Sequence, residues 1–286
     1  MKNPHPEASP TDLPITHNLT LAYVGSLIIA ILMAIASVAG LVSPEQLYPT
    51  EELRRSFIPT DVINLVIGLP ILLGSMWFAR RGRLLGLLFW PGALFYVLYH
   101  YIVYTFGLPL NVGFLLALLL LALSAYTMAG LIASIASIEG KAIQQRLSGA
   151  VSERITGGVL TGLGILFALR ALGVIGGALV DPNALPQAEL ALQVADFITT
   201  FAWIIGGVLL WRREPLGYVV GAGLLFQASM LFVGLLIYFA LQPVLTATPF
   251  PVADFVVILV MGQICFVPFG LFVRGIASTG TSSTRK

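Results

Sequence analysis

The chain has a single cysteine, Cys265, in 286 residues. An internal disulfide, a CxxC redox pair and a thiolate metal cluster are therefore all excluded. Charge is nearly as scarce, since Asp, Glu, Lys and Arg together make 10% of the residues and leave a net charge of +2. That balance is no footprint for nucleic acid. It also cannot keep in water a chain that is 58% hydrophobic with a mean hydropathy of +0.95, so the composition is that of an integral membrane protein. Histidine occurs three times, and His5 and His17 lie in the N-terminal tail. Only His100 falls in an apolar run, so a haem held between two intramembrane histidines is excluded. There is no GxxxxGK[ST] loop, no GxGxxG turn after a strand, no HExxH and no nucleophile elbow. No cofactor, no metal site and no catalytic set is expected.

Long apolar runs are abundant. A helix needs about 20 apolar residues to cross the hydrocarbon core, and eight segments qualify: 19–43, 61–79, 84–106, 109–136, 155–180, 195–211, 216–240 and 251–273. The fold class is an all-α polytopic membrane protein with eight transmembrane helices. The first span is read as retained, although Ala34-Ile35-Ala36 has the small-residue spacing of a signal cleavage site. Its preceding tail offers only Lys2 as a base beside Glu7 and Asp12, and its apolar run exceeds an ordinary signal core.

Basic residues set the orientation. With eight spans both termini share a side, and that side collects Lys2, Arg80, Arg81, Arg83, Lys141, Arg146, Arg154, Arg212, Arg213, Arg274, Arg285 and Lys286, while the opposite loops hold only Arg54 and Arg55. By the positive-inside rule both termini are cytoplasmic, in the plasma (cytoplasmic) membrane. The Asn18 sequon then faces the wrong side for glycosylation.

The two halves of the chain echo each other. Leu41-Val42-Ser43-Pro44 resembles Leu179-Val180-Asp181-Pro182, and Ile71-Leu72-Leu73-Gly74 leading to Arg80-Arg81 matches Trp203-Ile204-Ile205-Gly206 leading to Arg212-Arg213. Leu85-Gly86 with Leu94-Phe95-Tyr96 matches Leu216-Gly217 with Leu225-Phe226-Gln227 at the same internal spacing. We read two tandem four-helix units, 19–136 and 155–273. They form a parallel repeat because each unit has an even number of helices. Polar tails, 1–18 and 274–286, flank them, and a cytoplasmic linker, 137–154, joins them. The linker is charge-balanced, and its Ile138, Ile143 and Leu147 also fit a short amphipathic surface helix.

On the outer side, residues 43–61 and 181–196 are long enough for interfacial helices. Each ends in an aspartate, Asp61 or Asp196, just before an apolar run. The first reading is two N-caps, where a carboxylate accepts backbone N–H bonds; the sharper one is an acidic pair guarding an outer vestibule.

Within the spans the polar residues are few. Arg170 stands about ten residues from the outer end of its helix, roughly 15 Å deep, and stays protonated, so it must find acceptors, water or a lipid headgroup. By this division carboxylates stand only at the outer ends of the apolar runs, as Asp61, Asp196 and Asp254, and none lies at the depth of Arg170. Gly158 and Gly162, and Gly173 and Gly177, have the small-xxx-small spacing that admits a close neighbour. Tyr96, His100 and Tyr104, with Tyr99 beside them, share one broad helical face. Tyr104 and Tyr101 are near enough to the boundary for an aromatic belt, whereas Tyr96 and His100 are too deep for one. Ser124, Thr127, Gln227 and Gln263 add further polar groups, and Pro70, Pro91 and Pro268 free carbonyls where a cavity can form.

Three functions fit. The first is binding or transport of a small anionic or amphipathic ligand in an intramembrane polar pocket of Arg170, His100, Tyr96, Tyr99, Tyr104, Gln227 and Gln263. The second is a non-catalytic accessory or scaffold subunit of a membrane complex, and the third an enzyme acting on a lipid or quinone. Expected partners are membrane lipids, a small-molecule ligand, and a second copy or a membrane-complex subunit; nucleic acid is not among them.

Overall fold

A computed structural model describes residues 19–181, 185–246 and 248–281. The tail through Asn18, the loop residues 182–184, and Arg285 and Lys286 lie outside the described residues. The elements are α1 (Thr20–Val42), α2 (Pro44–Leu47), α3 (Glu51–Ile63), a π turn (Asn64–Gly68), α4 (Leu69–Arg80), α5 (Leu84–Gly107), α6 (Val112–Leu147), α7 (Glu153–Val180), α8 (Gln187–Trp211), α9 (Pro215–Thr246) and α10 (Val252–Thr281). Taking α3, the π turn and α4 as one rod, eight helices among the described residues are long and apolar enough to cross a membrane. The protein is thus an all-helical, multi-pass membrane protein, as the apolar runs predict.

Most helices outrun their apolar segments at one end or both, although α1 stays within 19–43 and α6 starts at Val112, three residues after the expected 109. Residues 137–147, expected in the linker, continue α6, because Glu139, Lys141, Gln144, Gln145 and Arg146 are good helix formers that outweigh the single Gly140, and no proline intervenes. The helix stops only at Gly149, whose φ is +76°, the left-handed conformation that glycine adopts at a helix end. Its extension is anchored: Ile143 and Leu147 are buried, and Gln144 Nε2 donates to Arg213 O at 2.7 Å. Likewise α10 carries into the segment expected to be a tail.

The same effect corrects the reading of the aspartates as caps. α3 starts behind Thr50, whose Oγ1 accepts from Leu53 N at 3.2 Å, and Glu52 accepts from Ala188 N at the start of α8. Asp61 and Asp196 therefore sit inside their helices, well past the first turn, where backbone N–H groups already have partners.

The π turn has a local cause. Pro70 has no N–H to offer the carbonyl one turn back, and its ring crowds that carbonyl; widening the helix over Asn64–Gly68 accommodates both.

α5 is the central helix. In its most apolar 18-residue window 89% of residues are buried inside the protein, against 44% or less in every other span; α4, α6, α8 and α9 surround it. α7 and α8 pack most closely, but through different glycines from those expected. A Cβ on Gly157 would meet Gly207 O and Trp211 N, and one on Gly164 would meet Thr200 O. Gly158 abuts the Trp211 ring, whereas Gly162, Gly173 and Gly177 face open space. Gly157 and Gly164 lie two turns apart on one stripe, which a four-residue spacing does not capture.

Candidate intramembrane polar sites

The polar residues inside the bundle fall into separate clusters, three of the four built on α5. At the first, Tyr99 Oη donates to Asp196 Oδ1 at 2.8 Å. Arg170 Nη1 donates to Asp196 Oδ2 at 3.3 Å and to Gln193 Oε1 at 3.1 Å. Gln193 and Asp196 are three apart on α8, so both point the same way. The Arg170 side chain is 50% exposed while that of Asp196 is 11% exposed. The carboxylate is held inside; one side of the arginine remains open to whatever surrounds the helices. The expectation of an arginine with no carboxylate at its depth is thereby corrected, because Asp196 belongs to the body of α8 and not to its start.

The second cluster surrounds Asp61, 1% exposed. Tyr48 Oη donates to its Oδ2 at 2.6 Å and Tyr104 Oη to its Oδ1 at 2.7 Å. Tyr101 packs against Tyr104 in a tilted pair with ring centroids 5.5 Å apart. Burial first, then the nearby Asp61 carboxylate, raises the Tyr48 phenol far above its ordinary value, so it stays protonated and donates. Tyr104 and Tyr101 are buried donor-bearing groups here, not members of an aromatic belt.

At the third, Trp203 Nε1 donates to Gln227 Oε1 at 2.7 Å, with Ser229 Oγ nearby along α9, 3.4 Å from Cys265 Sγ. Cys265 is fully buried, as its apolar run predicts. The fourth holds Asn64 and Tyr96, whose side-chain polar atoms have no hydrogen-bond partner among the described residues.

The seven side chains expected to share one pocket are thus divided. Only Tyr99 joins Arg170. His100 turns Nδ1 to its own helix, 2.9 Å from Tyr96 O, with its ring against Tyr96. Tyr104 serves Asp61, Gln227 serves Trp203, and Gln263 is exposed on the outer face of α10. Sequence reasoning missed Gln193, Asn64, Tyr48 and Trp203. The Gln193–Asp196 spacing was the available signal for the first; Tyr48 comes to Asp61 through a chain reversal that no spacing encodes.

No protein-family model, curated protein or solved structure matches this chain.

Proposed function

We propose that this protein binds or transports a small anionic or amphipathic ligand at Arg170, with Asp196, Gln193 and Tyr99 as the groups that hold the arginine. The observation that carries the reading is the Arg170 side chain, half exposed although it is bonded to Asp196 and Gln193. Arginine has five N–H donors, and both bonds to Asp196 and Gln193 leave through Nη1. The accessible edge is a donor array for a phosphate or carboxylate arriving from the bilayer. An entering anion competes with Asp196 for the guanidinium, and Tyr99 links that exchange to the central helix α5.

The same reading places two tandem four-helix units in the plasma membrane with cytoplasmic termini. It is supported by two matching turns. α4 ends with Gly82 N bonding to Ala79 O and Arg83 N to Phe78 O. α8 ends with Arg213 N bonding to Leu210 O and Glu214 N to Leu209 O. Gly82 and Arg213 both have positive φ, and Gly86 and Gly217 each press against the preceding helix end. A homo-oligomer or a larger membrane complex is compatible with this arrangement.

A second reading, a scaffold or accessory subunit, is favoured by one fact: Arg170 finds two protein acceptors, so the cluster also pins α5, α7 and α8 together. Native mass spectrometry of the gently solubilised protein and its Arg170→Gln variant separates the two. A bound mass released by the substitution from a folded protein supports the ligand site. Identical spectra without added mass, from a less stable variant, support the scaffold.

A further inference from the structure

We propose that the π turn of the second span and the middle of α5 form a separate binding site for a small uncharged hydrogen-bonding molecule, held by Asn64 and Tyr96. This does not rest on the Arg170 reading, since the two clusters share no residue.

Asn64 is 1% exposed and Tyr96 fully buried. Asn64 Oδ1, Asn64 Nδ2 and Tyr96 Oη all lack a hydrogen-bond partner among the described residues. Leaving such atoms unsatisfied in an apolar interior is costly, and buried polar groups in folded proteins are almost always bonded to protein or to a bound molecule. Asn64 Oδ1 and the Tyr96 ring face common ground. A Cβ placed on Gly68 would lie 3.7 Å from Asn64 Oδ1 and 3.5 Å from Tyr96 Cε1, and one placed on Gly234 would lie 3.0 Å from Tyr96 Oη. Two glycines, from the π turn and from α9, thus remove side-chain bulk beside the polar atoms. π turns recur at functional sites because they re-aim side chains out of the helical register.

The chemistry of the walls selects the ligand. Asn64 offers one acceptor and a donor pair, and the Tyr96 hydroxyl can donate or accept, so the ligand must carry both functions. Met33 and Ile63 complete the lining, and no ionised group belongs to it. The nearest carboxylate along the helix, Asp61, already has both oxygens engaged by Tyr48 and Tyr104. An ion at this depth would have no countercharge. A Cβ on Gly234 would stand only 3.0 Å from Tyr96 Oη, so the room there is tighter than a methyl group needs and admits the smallest hydrogen-bonding molecules: water first, and a small amide or alcohol only where a flexible neighbour such as Met33 gives way.

An experimental structure of the full chain in lipid nanodiscs tests the site. The expected result is non-protein density within hydrogen-bonding distance of the Asn64 amide and Tyr96 Oη. Melting temperatures give an independent readout. The Asn64→Leu/Tyr96→Phe double variant should melt several degrees lower than the wild type, because it loses a satisfied ligand. Acetamide, as the probe, distinguishes the sources: a rise in wild-type melting temperature that the double variant lacks identifies an organic solute, and no rise with water-sized density identifies solvent. The absence of density overturns the proposal. So does a double variant that melts at the wild-type temperature or above, because replacing truly unsatisfied polar groups by apolar ones is neutral or stabilising.

Discussion

Gly92 on α5 and Gly223 on α9 touch backbone to backbone. A Cβ on Gly223 would stand 2.9 Å from Leu88 O and 3.0 Å from Gly92 N, and one on Gly92 would run into the Gly223 carbonyl. Each lies six residues beyond the glycine of its Leu-Gly pair, so the two hold the same place in the copies of the proposed repeat. A twofold axis between parallel copies requires that kind of self-contact.

Gly92→Ala and Gly223→Ala are accordingly expected to destabilise by about 1–3 kcal/mol each, because the obstacle is backbone and cannot swing aside. Gly162→Ala and Gly173→Ala meet nothing within 4 Å and should be neutral or gain about 0.5–1 kcal/mol from helix propensity. Thermal melts of the four variants in one detergent check the contrast.

At the Arg170 cluster, removing one partner strands the other. Arg170→Gln leaves a nearly buried Asp196 with only Tyr99 and the new amide as neighbours, and a broken buried pair costs up to about 3–5 kcal/mol. The half-exposed arginine places the cost at the lower end of that range. The double variant Arg170→Leu/Asp196→Leu should recover much of the loss. A double-mutant cycle on melting temperature measures the coupling; strictly additive effects would refute the pair as an energetic unit.

The Asp61 cluster makes a different forecast. Tyr48→Phe and Tyr104→Phe each delete one donor to the same buried carboxyl, at about 1–3 kcal/mol apiece. The two effects should be strongly non-additive, since both act on one group. Denaturation of the single and double variants tests this, and independent effects would show that Asp61 does not depend on the tyrosines.

Orientation is open to direct labelling. Cys265 is fully buried, so cysteines introduced elsewhere report cleanly. Glu51→Cys, at the end carrying Arg54 and Arg55, should react with a membrane-impermeant maleimide on intact cells, and Arg212→Cys only after permeabilisation. The reverse pattern would invert the proposed topology.

The span count needed only composition and hydropathy. Lipid provides no hydrogen-bonding partner, so each long apolar run must close its own backbone bonds as a helix, and all eight could be read from local sequence. Their ends could not, because helix propensity carries α3, α6 and α8 beyond the apolar runs, where hydropathy is silent. Gly158 and Gly162 show the same limit: the motif is written in the sequence, but which face of α7 meets α8 depends on the whole bundle.

The clusters lay further still from sequence. Arg170, Tyr96, Tyr99 and Asp196 could be picked out singly, since a polar side chain at membrane depth is costly wherever it falls. Which of them meet was decided by tertiary structure. Tyr96, Tyr99 and Tyr104 project from α5 toward different neighbours, so groups that look like one pocket along the chain become separate sites around it. Pairings such as Arg170 with Asp196 or Tyr48 with Asp61 depend on how helices rotate and slide as the glycine contacts close. Sequence determined that this is a membrane protein and which of its segments are long and apolar enough to cross; only packing decided which of its few polar groups have partners.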